Sequence, residues 1–158
     1  MKKLNPEWVT MIQNQVNGCP YFALQSMEIK ELSFGKARVE IDVQQKHLQP
    51  FGMVHGGVFS TLIDATGFWA AYTEVDPQAG MTTVELKLNY LAPAQDGHLI
   101  GFGRTIKMGR TLGLTDATIE DEKGRLLAHG TVTVMVLPDL KLEEHDALPA
   151  KFLPETPE

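Results

Sequence analysis

Apolar and polar side chains alternate along most of this chain, and one central segment breaks the alternation. The alternation is clearest in residues 36–44 and 83–90, where every second side chain is apolar, as in a strand with one buried face. Alternation and the turn residues between segments together predict six strands, namely 22–33, 36–44, 81–91, 97–108, 111–121 and 124–136.

Two other segments have the spacing of helices. Residues 5–16 carry apolar side chains at helical spacing, with Asn5 suited to the N-cap and Pro6 to the first helical position. Residues 58–72 are apolar almost throughout and contain one formal charge, Asp64. Short connections between strands favour an antiparallel sheet, which must wrap the long apolar helix. We therefore expect an α+β fold with about six antiparallel strands around one buried helix, plus a short N-terminal helix.

Length and composition indicate a single domain followed by a tail. The 158 residues are 43% hydrophobic and 22% charged, which is ordinary for a globular domain with a sizeable core. We assign residues 1–138 to the domain. Residues 139–158 are acidic and contain prolines, so we expect a peripheral tail that is loosely packed or disordered.

Charge and hydropathy narrow the expected partners and location. The net charge of −6 argues against nonspecific nucleic-acid binding, because phosphates would be repelled. No apolar run approaches the roughly 18 residues that span a bilayer, so we expect no membrane partner. The single cysteine, Cys19, cannot form an internal disulfide, which favours a reducing cytoplasm. We expect no metal, because the histidines lack ligand spacing with one another or with paired carboxylates.

Asp64 is the chemically informative residue. Burying a carboxylate in an apolar helix costs several kcal/mol unless the charge is compensated or used. The glycine pair before it, Gly56–Gly57, opens the helix, where backbone N–H groups are unpaired and the helix dipole is positive. The alternative interpretation is that Asp64 caps a neighbouring loop and that the glycines only form a tight turn.

The spacing between these residues favours a site shared by two chains. Asp64 follows Gly57 by seven residues, so both lie on one helix face, about 10 Å apart along the axis. They are too far apart to act on one atom within a chain. A two-fold dimer that sets each helix start against the partner's helix removes this distance.

The sequence His55-Gly56-Gly57, followed after six residues by Asp64, resembles the motif of the hotdog-fold acyl-CoA thioesterases. The branch it most resembles is the phenylacetyl-CoA thioesterases (PaaI-like). The resemblance covers about residues 22–137 and includes LQPFGMVHGG, TTVELKLNYLAPA and KMGRTLGLTDATIEDEKGRLLAHGTVTVMV. It implies hydrolysis of a small, medium-chain or aromatic acyl-CoA to free acid and CoA, with no further cofactor. It also implies a homodimer as the catalytic unit and a homotetramer as the assembly.

The resemblance assigns four catalytic roles. The N–H of Gly57 would donate to the thioester carbonyl, and Asp64 of the partner chain would activate water or attack as a nucleophile; the sequence does not choose between these. Gln49 would lie near the thioester or the water. Thr83 would help to place the attacking water.

The resemblance and the loop positions also suggest substrate-binding residues. His55 and Gly56 complete the motif, with His55 expected to hold the loop by hydrogen bonds. In the loop before the helix, Phe51 and Met53 are candidates for the acyl pocket; Phe59, Phe68 and Trp69 are more safely assigned to the core.

The coenzyme A end of the substrate requires cations. By the resemblance, the turn residues Lys107, Arg110 and Thr111 correspond to a hairpin that lines the pantetheine channel in the family. The guanidinium group of an arginine presents several N–H donors in a geometry that suits phosphate. The alternative is an ordinary solvated turn.

Two other functions fit the same fold. One is a non-catalytic protein that binds acyl-CoA or fatty acid, against which the intact acid Asp64 argues. The other is a hydroxyacyl-thioester dehydratase, which uses a loop histidine and a helix acid; His55 and Asp64 would fill those roles.

Overall fold

A six-stranded antiparallel sheet curves around one long helix. The computed structural model describes residues 2–154. The helices are α1 (Pro6–Asn17), α2 (Pro20–Gln25) and α3 (Gly56–Tyr72), with short 3-10 turns at Gln45–His47 and His145–Ala147. The strands are β1 (Met27–Ser33), β2 (Lys36–Asp42), β3 (Gly80–Tyr90), β4 (His98–Met108), β5 (Leu112–Glu120) and β6 (Leu126–Leu137). The predicted α+β class, six strands and central helix are confirmed.

The strand order is β1-β2-β4-β5-β6-β3, and all neighbours are antiparallel. The strand β3 therefore lies at an edge of the sheet, although it comes third in the chain. Its inner face turns toward α3, since Leu86 pairs with the buried Val132 of β6. Side chains of α3 that point toward this edge of the sheet therefore lie next to β3.

The central helix α3 packs closely against the sheet. Leu62, Ile63 and Ala70 are fully buried, and burying a large apolar side chain contributes about 1.5–3 kcal/mol. The close approach depends on glycines in the strand beneath, because a side chain at Gly103 would collide with the backbone of Thr66. Within residues 2–154, no helix is long and apolar enough to cross a lipid bilayer.

The segment before β1 differs from the prediction. Residues 22–33 were expected to form one strand, but the first part belongs to α2 and the strand starts at Met27. Pro20 occupies the first position of α2, where the missing N–H breaks no helical hydrogen bond. Ser26 ends the helix in the left-handed region, with a φ of 50°. The buried ring of Phe22 anchors α2 on the domain.

The segment after β6 packs on the domain, which corrects the expectation of a loosely packed tail for its described part. Lys151 is only 3% exposed, and its Nζ donates to the carbonyl oxygens of Tyr72 and Val75 at the end of α3. Leu4 and Phe152 form an antiparallel bridge that ties the two ends of the chain together. Residues 155–158 of the predicted tail lie outside the described residues.

Candidate active site

Asp64 lies two turns into α3, on the side that faces β3. Its Oδ1 accepts a hydrogen bond from the Thr83 hydroxyl at 2.7 Å. The carboxyl group is half-buried, and this burial raises its pKa; the Thr83 hydrogen bond opposes part of the rise. A carboxylate with a raised pKa, fixed by a neighbour, is suited to accept a proton from water.

Asp64 opens into a cavity of about 330 Å³ between α2, α3 and the sheet. This volume is at the low end of small-molecule pockets. The apolar part of the lining is Phe22, Met27, Ala65, Phe68, Trp69 and Leu86, and the polar part is Tyr21, Ser60, Thr61 and Asp64. Phe68 and Trp69, which we assigned to the core, therefore also form walls of this cavity. We call it the acid cavity.

The start of α3 offers one free backbone donor. His55 is the N-cap, and its Nδ1 accepts the N–H of Gly57 at 2.8 Å. The N–H of Gly56 makes no hydrogen bond with any of the residues that the structure describes. The available donor is thus on Gly56, whereas the sequence analysis assigned it to Gly57. With its ring committed to the cap, His55 has the loop-holding contact that we expected, and contact with substrate stays a prediction.

A second cavity, of about 420 Å³, opens at Gly56; we call it the helix-start cavity. The predicted residues Gln49 and Met53 line it, together with Tyr90, whose hydroxyl donates to the Gly56 carbonyl at 3.2 Å. Phe51, the other loop candidate, is 86% exposed and is not part of the lining. The remaining lining residues are Val54, Phe59, Leu91, Ala92 and Pro93.

Tyr90 is a residue of this site for which the sequence predicted no role. Its position could have been found from the period of β3, because Tyr90 falls on the same strand face as Leu86 and Leu88. That face is directed toward α3, and the ring packs edge-on against Phe59. What the period does not reveal is which turn of α3 the tyrosine meets.

The basic hairpin lies apart from both cavities in a single chain. Lys107, Arg110 and Thr111 are exposed around the turn between β4 and β5, and none of them lines either cavity. Their role at the coenzyme A phosphates stays a prediction. Within residues 2–154, no three His, Cys, Asp or Glu side chains are grouped so that they could hold a metal ion.

The two cavities share no lining residue. The free N–H of Gly56 and the carboxyl of Asp64 are eight residues apart on α3, about 12 Å along the axis. One chain therefore presents an acid in one cavity and a backbone donor in the other.

The chain matches the family model described as the thioesterase superfamily over residues 51–128, a span that includes the helix start, Asp64 and Thr83. A 1,4-dihydroxy-2-naphthoyl-CoA hydrolase of Listeria monocytogenes is 31% identical over 110 residues, which cover 70% of this chain and 89% of that protein. The solved structure of a thioesterase family protein from Silicibacter pomeroyi is 28% identical, with a TM-score of 0.76 over 82% of this chain and 98% of its own. Thioesterase HI1161 from Haemophilus influenzae shares the fold at 23% identity and a TM-score of 0.76, over 81% of this chain and 90% of its own. The hotdog fold is confirmed, and the chain belongs to the thioesterase superfamily and is a thioester hydrolase.

Proposed function

We propose that this protein hydrolyses acyl-CoA thioesters to a free acid and CoA, with Asp64 as the group that activates the attack. The observation that carries the proposal is the half-buried Asp64 carboxyl, held by Thr83 in the wall of a cavity that has both apolar and polar lining residues. The apolar side chains of this cavity beside a reactive acid suit an acyl group, while the large polar CoA stays toward solvent. The Listeria monocytogenes relative, which is named for a CoA thioester, supports this substrate class.

Two chemical routes start from Asp64. As a general base it takes a proton from water, whose oxygen adds to the thioester carbonyl; the proton then passes to the departing CoA sulfur. As a nucleophile its carboxylate adds to the carbonyl and the C–S bond breaks, so that CoA leaves as a thiolate and a mixed anhydride remains. Water then hydrolyses the anhydride, which releases the free acid and restores the carboxylate, and the thiolate takes up the proton that water supplies. Both routes build negative charge on the carbonyl oxygen, so both need a hydrogen-bond donor there. Thr83 fixes the orientation of the carboxylate in either route.

The N–H of Gly56 is the best donor for that oxygen. It is free, it lies at the N-terminus of α3, and the helix dipole there favours a developing negative charge. One such donor is typically worth about 10²–10³ in rate. The absence of a side chain at Gly56 leaves room for the Tyr90 hydroxyl, which lies 2.9 Å from where a Cβ would be.

A homodimer would bring this donor and Asp64 onto one thioester. The exposed edge of β3 supports it, because an unpaired edge strand is a template for another chain, and Val84 and Tyr90 on it are 50% and 60% exposed. Thr83, which holds Asp64, and Tyr90, which contacts Gly56, lie toward opposite ends of β3. Antiparallel pairing of β3 with its copy about a two-fold axis would therefore set one protomer's Thr83 near the partner's Tyr90.

The finer substrate class and the assembly are part of the same proposal. The acid cavity is small, which favours a short, medium-chain or aromatic acyl group over a long chain. The exposed cations Lys107 and Arg110 would meet the phosphates of CoA. We retain a homotetramer built from such dimers as the expected assembly.

The decisive experiment incubates the purified full chain with short, medium-chain, long-chain and aromatic acyl-CoAs and measures free thiol. We expect release of CoA from at least one compact acyl-CoA. Asp64→Asn, which keeps the shape and an acceptor for Thr83, should lower the rate at least about a hundredfold. Binding of acyl-CoA without thiol release would instead favour the non-catalytic binding function, and an unchanged rate in Asp64→Asn would reject the mechanism.

A further inference from the structure

The acid cavity has one wall that does not belong to the sheet or to α3. That wall is α2, whose adjacent residues Tyr21 and Phe22 both line the cavity. Phe22 is 7% exposed and packs in the core, whereas Tyr21 is 51% exposed and stands at the rim. The two residues thus have different roles, the first anchoring α2 and the second facing the opening.

Tyr21 is tied to the catalytic helix by a single side-chain hydrogen bond. Its hydroxyl lies 2.8 Å from the Oγ1 of Thr61 on α3. Thr61 precedes Asp64 by three residues, so the two side chains are neighbours on one helix face. The hydrogen bond between Tyr21 and Thr61 therefore joins α2 to α3 at the wall of the cavity. It lies about one helical turn from the proposed catalytic carboxyl of Asp64.

The other walls of the cavity are fixed by packing. Met27 and Trp69 are 1% and 7% exposed, so enlarging the cavity through them would disturb the core. By contrast, α2 is six residues long and lies between Cys19, whose backbone is extended, and Ser26, whose backbone is left-handed. The tyrosine wall can consequently be altered without removing a core side chain.

We propose that Tyr21, held against Thr61, forms the outer wall of the acyl cavity and sets the largest acyl group that the enzyme hydrolyses. Tyr21 is thus a specificity-determining residue. This inference rests on the proposed function, because it takes the acid cavity as the place where the acyl group binds. A compact acyl group fills the space behind the ring, and a longer one meets the ring before its thioester reaches Asp64.

The test compares kcat/KM for a series of linear acyl-CoAs from acetyl to dodecanoyl in the parent and in Tyr21→Ala. Removing the ring should raise the ratio of long-chain to short-chain kcat/KM by about tenfold or more, since each methylene accommodated in a pocket is worth about 10-fold or more. Leu24→Ala is the matched control. It shortens an apolar side chain on the same helix, but Leu24 is 63% exposed and does not line the cavity, so the ratio should stay as in the parent.

A second pair of variants tests the hydrogen bond without removing the ring. Tyr21→Phe and Thr61→Val each delete one hydroxyl, and each should raise the same ratio by a smaller factor. The double variant should do no more than either single change, because both act on one bond. A chain-length ratio that stays at the parental value in Tyr21→Ala, at any overall rate, would overturn the inference. If Tyr21→Ala does not fold, unchanged ratios in the two hydroxyl variants would overturn it.

The two proposals fail in different ways. If the parent releases no thiol from any acyl-CoA, the proposed function itself is wrong. If the parent is active but its chain-length ratio does not respond to Tyr21, only the assignment of this wall is wrong.

Discussion

Two adjacent glycines begin α3, and one hydrogen bond distinguishes them. The Gly57 N–H is used by the cap on His55, so the Gly56 N–H is the one left to polarise a carbonyl. Gly56→Pro should remove this donor and lower kcat about 10²–10³-fold, the usual value of one such donor. Gly56 is the first residue of the helix, where proline is well tolerated, and His55 before it is already extended. The measurement is thiol release under saturating acyl-CoA, with circular dichroism to confirm the fold.

Gly56→Ala is the control for this change. It keeps the N–H but adds a Cβ, which would lie 2.9 Å from the Tyr90 hydroxyl. Because Tyr90 is 60% exposed, its ring can move aside. Alanine should therefore cost far less activity than proline. Equal activity of the proline and alanine variants would show that the Gly56 N–H has no part in the reaction.

Thr83 should control the pH dependence of the reaction. Burial raises the pKa of Asp64, and the hydrogen bond from Thr83 lowers it by stabilising the ionised form. Thr83→Val removes this bond, so the pKa of Asp64 rises further and less of it is ionised at acidic pH. The acidic limb of the kcat/KM profile should therefore move to higher pH, with a greater loss of activity at pH 5 than at pH 8.

Thr82→Val provides the comparison for the pH profile. Thr82 is the preceding residue of β3 and pairs with Met135, while Thr83 pairs with the buried Val134, so the two threonines face opposite sides of the sheet. The control should leave the acidic limb in place. An acidic limb that coincides in parent and Thr83→Val would mean that Asp64 is not the group whose ionisation governs the rate.

The motif residues could be identified from the sequence, but the donor could not be assigned among them. Asp64 is conspicuous because it is the one charge in residues 58–72. Which of Gly56 and Gly57 has the free N–H depends on the orientation of the His55 ring. The order of residues in the sequence does not determine that side-chain rotamer. Tyr21 was missed for a similar reason, since its partner Thr61 is forty residues away in the chain.

At the scale of elements, strands with one buried face were predictable and the short helix α2 was not. The alternation in β2 follows directly from the period of a pleated strand, and it sets the inner and outer faces of that strand correctly. In β3 it holds from Glu85 onward, but the register shifts between Thr83 and Glu85. Thr83 therefore pairs with the buried Val134 and Val84 is exposed, the reverse of what the alternation predicts.

A six-residue helix contains too few turns to establish a helical period. The apolar residues of Pro20–Gln25 therefore appeared to extend the following strand. The tail was misjudged because its composition is acidic and contains prolines, whereas Leu142 and Leu148 pack against the core and Lys151 is buried.

That lysine should stabilise the end of α3. Lys151 donates to the carbonyls of Tyr72 and Val75 and lies 4.4 Å from the centre of the Tyr72 ring. Burial lowers its pKa to about 7, and both the neutral amine and the ammonium have enough N–H groups for the two carbonyls. Lys151→Met leaves both carbonyls without this donor and should lower the free energy of unfolding by about 1–3 kcal/mol. Urea denaturation followed by tryptophan fluorescence measures the loss.

Lys123→Met is the matched control for this substitution. Lys123 is exposed in the turn between β5 and β6, so its replacement should change the free energy of unfolding by less than about 0.5 kcal/mol. If Lys151→Met were as stable as this control, the hydrogen bonds from Lys151 would not stabilise the end of α3.

For the whole molecule, the central observation is that one chain has two separate cavities, which the proposed function treats as two halves of a site. The acid cavity contains Asp64 and the helix-start cavity contains Gly56, with no lining residue in common. A chain that acted alone would have to hydrolyse a thioester with an acid and a donor about 12 Å apart. The proposed two-fold dimer would pair each acid with the other chain's donor and so build two complete sites.

This arrangement makes a quantitative prediction for mixed dimers. Chains carrying Asp64→Asn and chains carrying Gly56→Pro, with different affinity tags, are produced together, and dimers that contain both tags are purified. In such a dimer one site combines both defects, and the other combines the intact Asp64 of one chain with the intact Gly56 of its partner. The mixed dimer should therefore have about half the activity of the unmodified dimer, although the Asp64→Asn homodimer and the Gly56→Pro homodimer are each nearly inactive.

A site built within one chain gives the opposite result. Each chain of the mixed dimer would then carry one defect, both sites would be damaged, and activity would stay at the level of the two homodimers. Mixed dimers of the parent with Asp64→Asn serve as the reference, because they should show about half activity under either arrangement. Recovery in the first mixture to the level of this reference is possible only if the acid and the donor of a working site come from different chains.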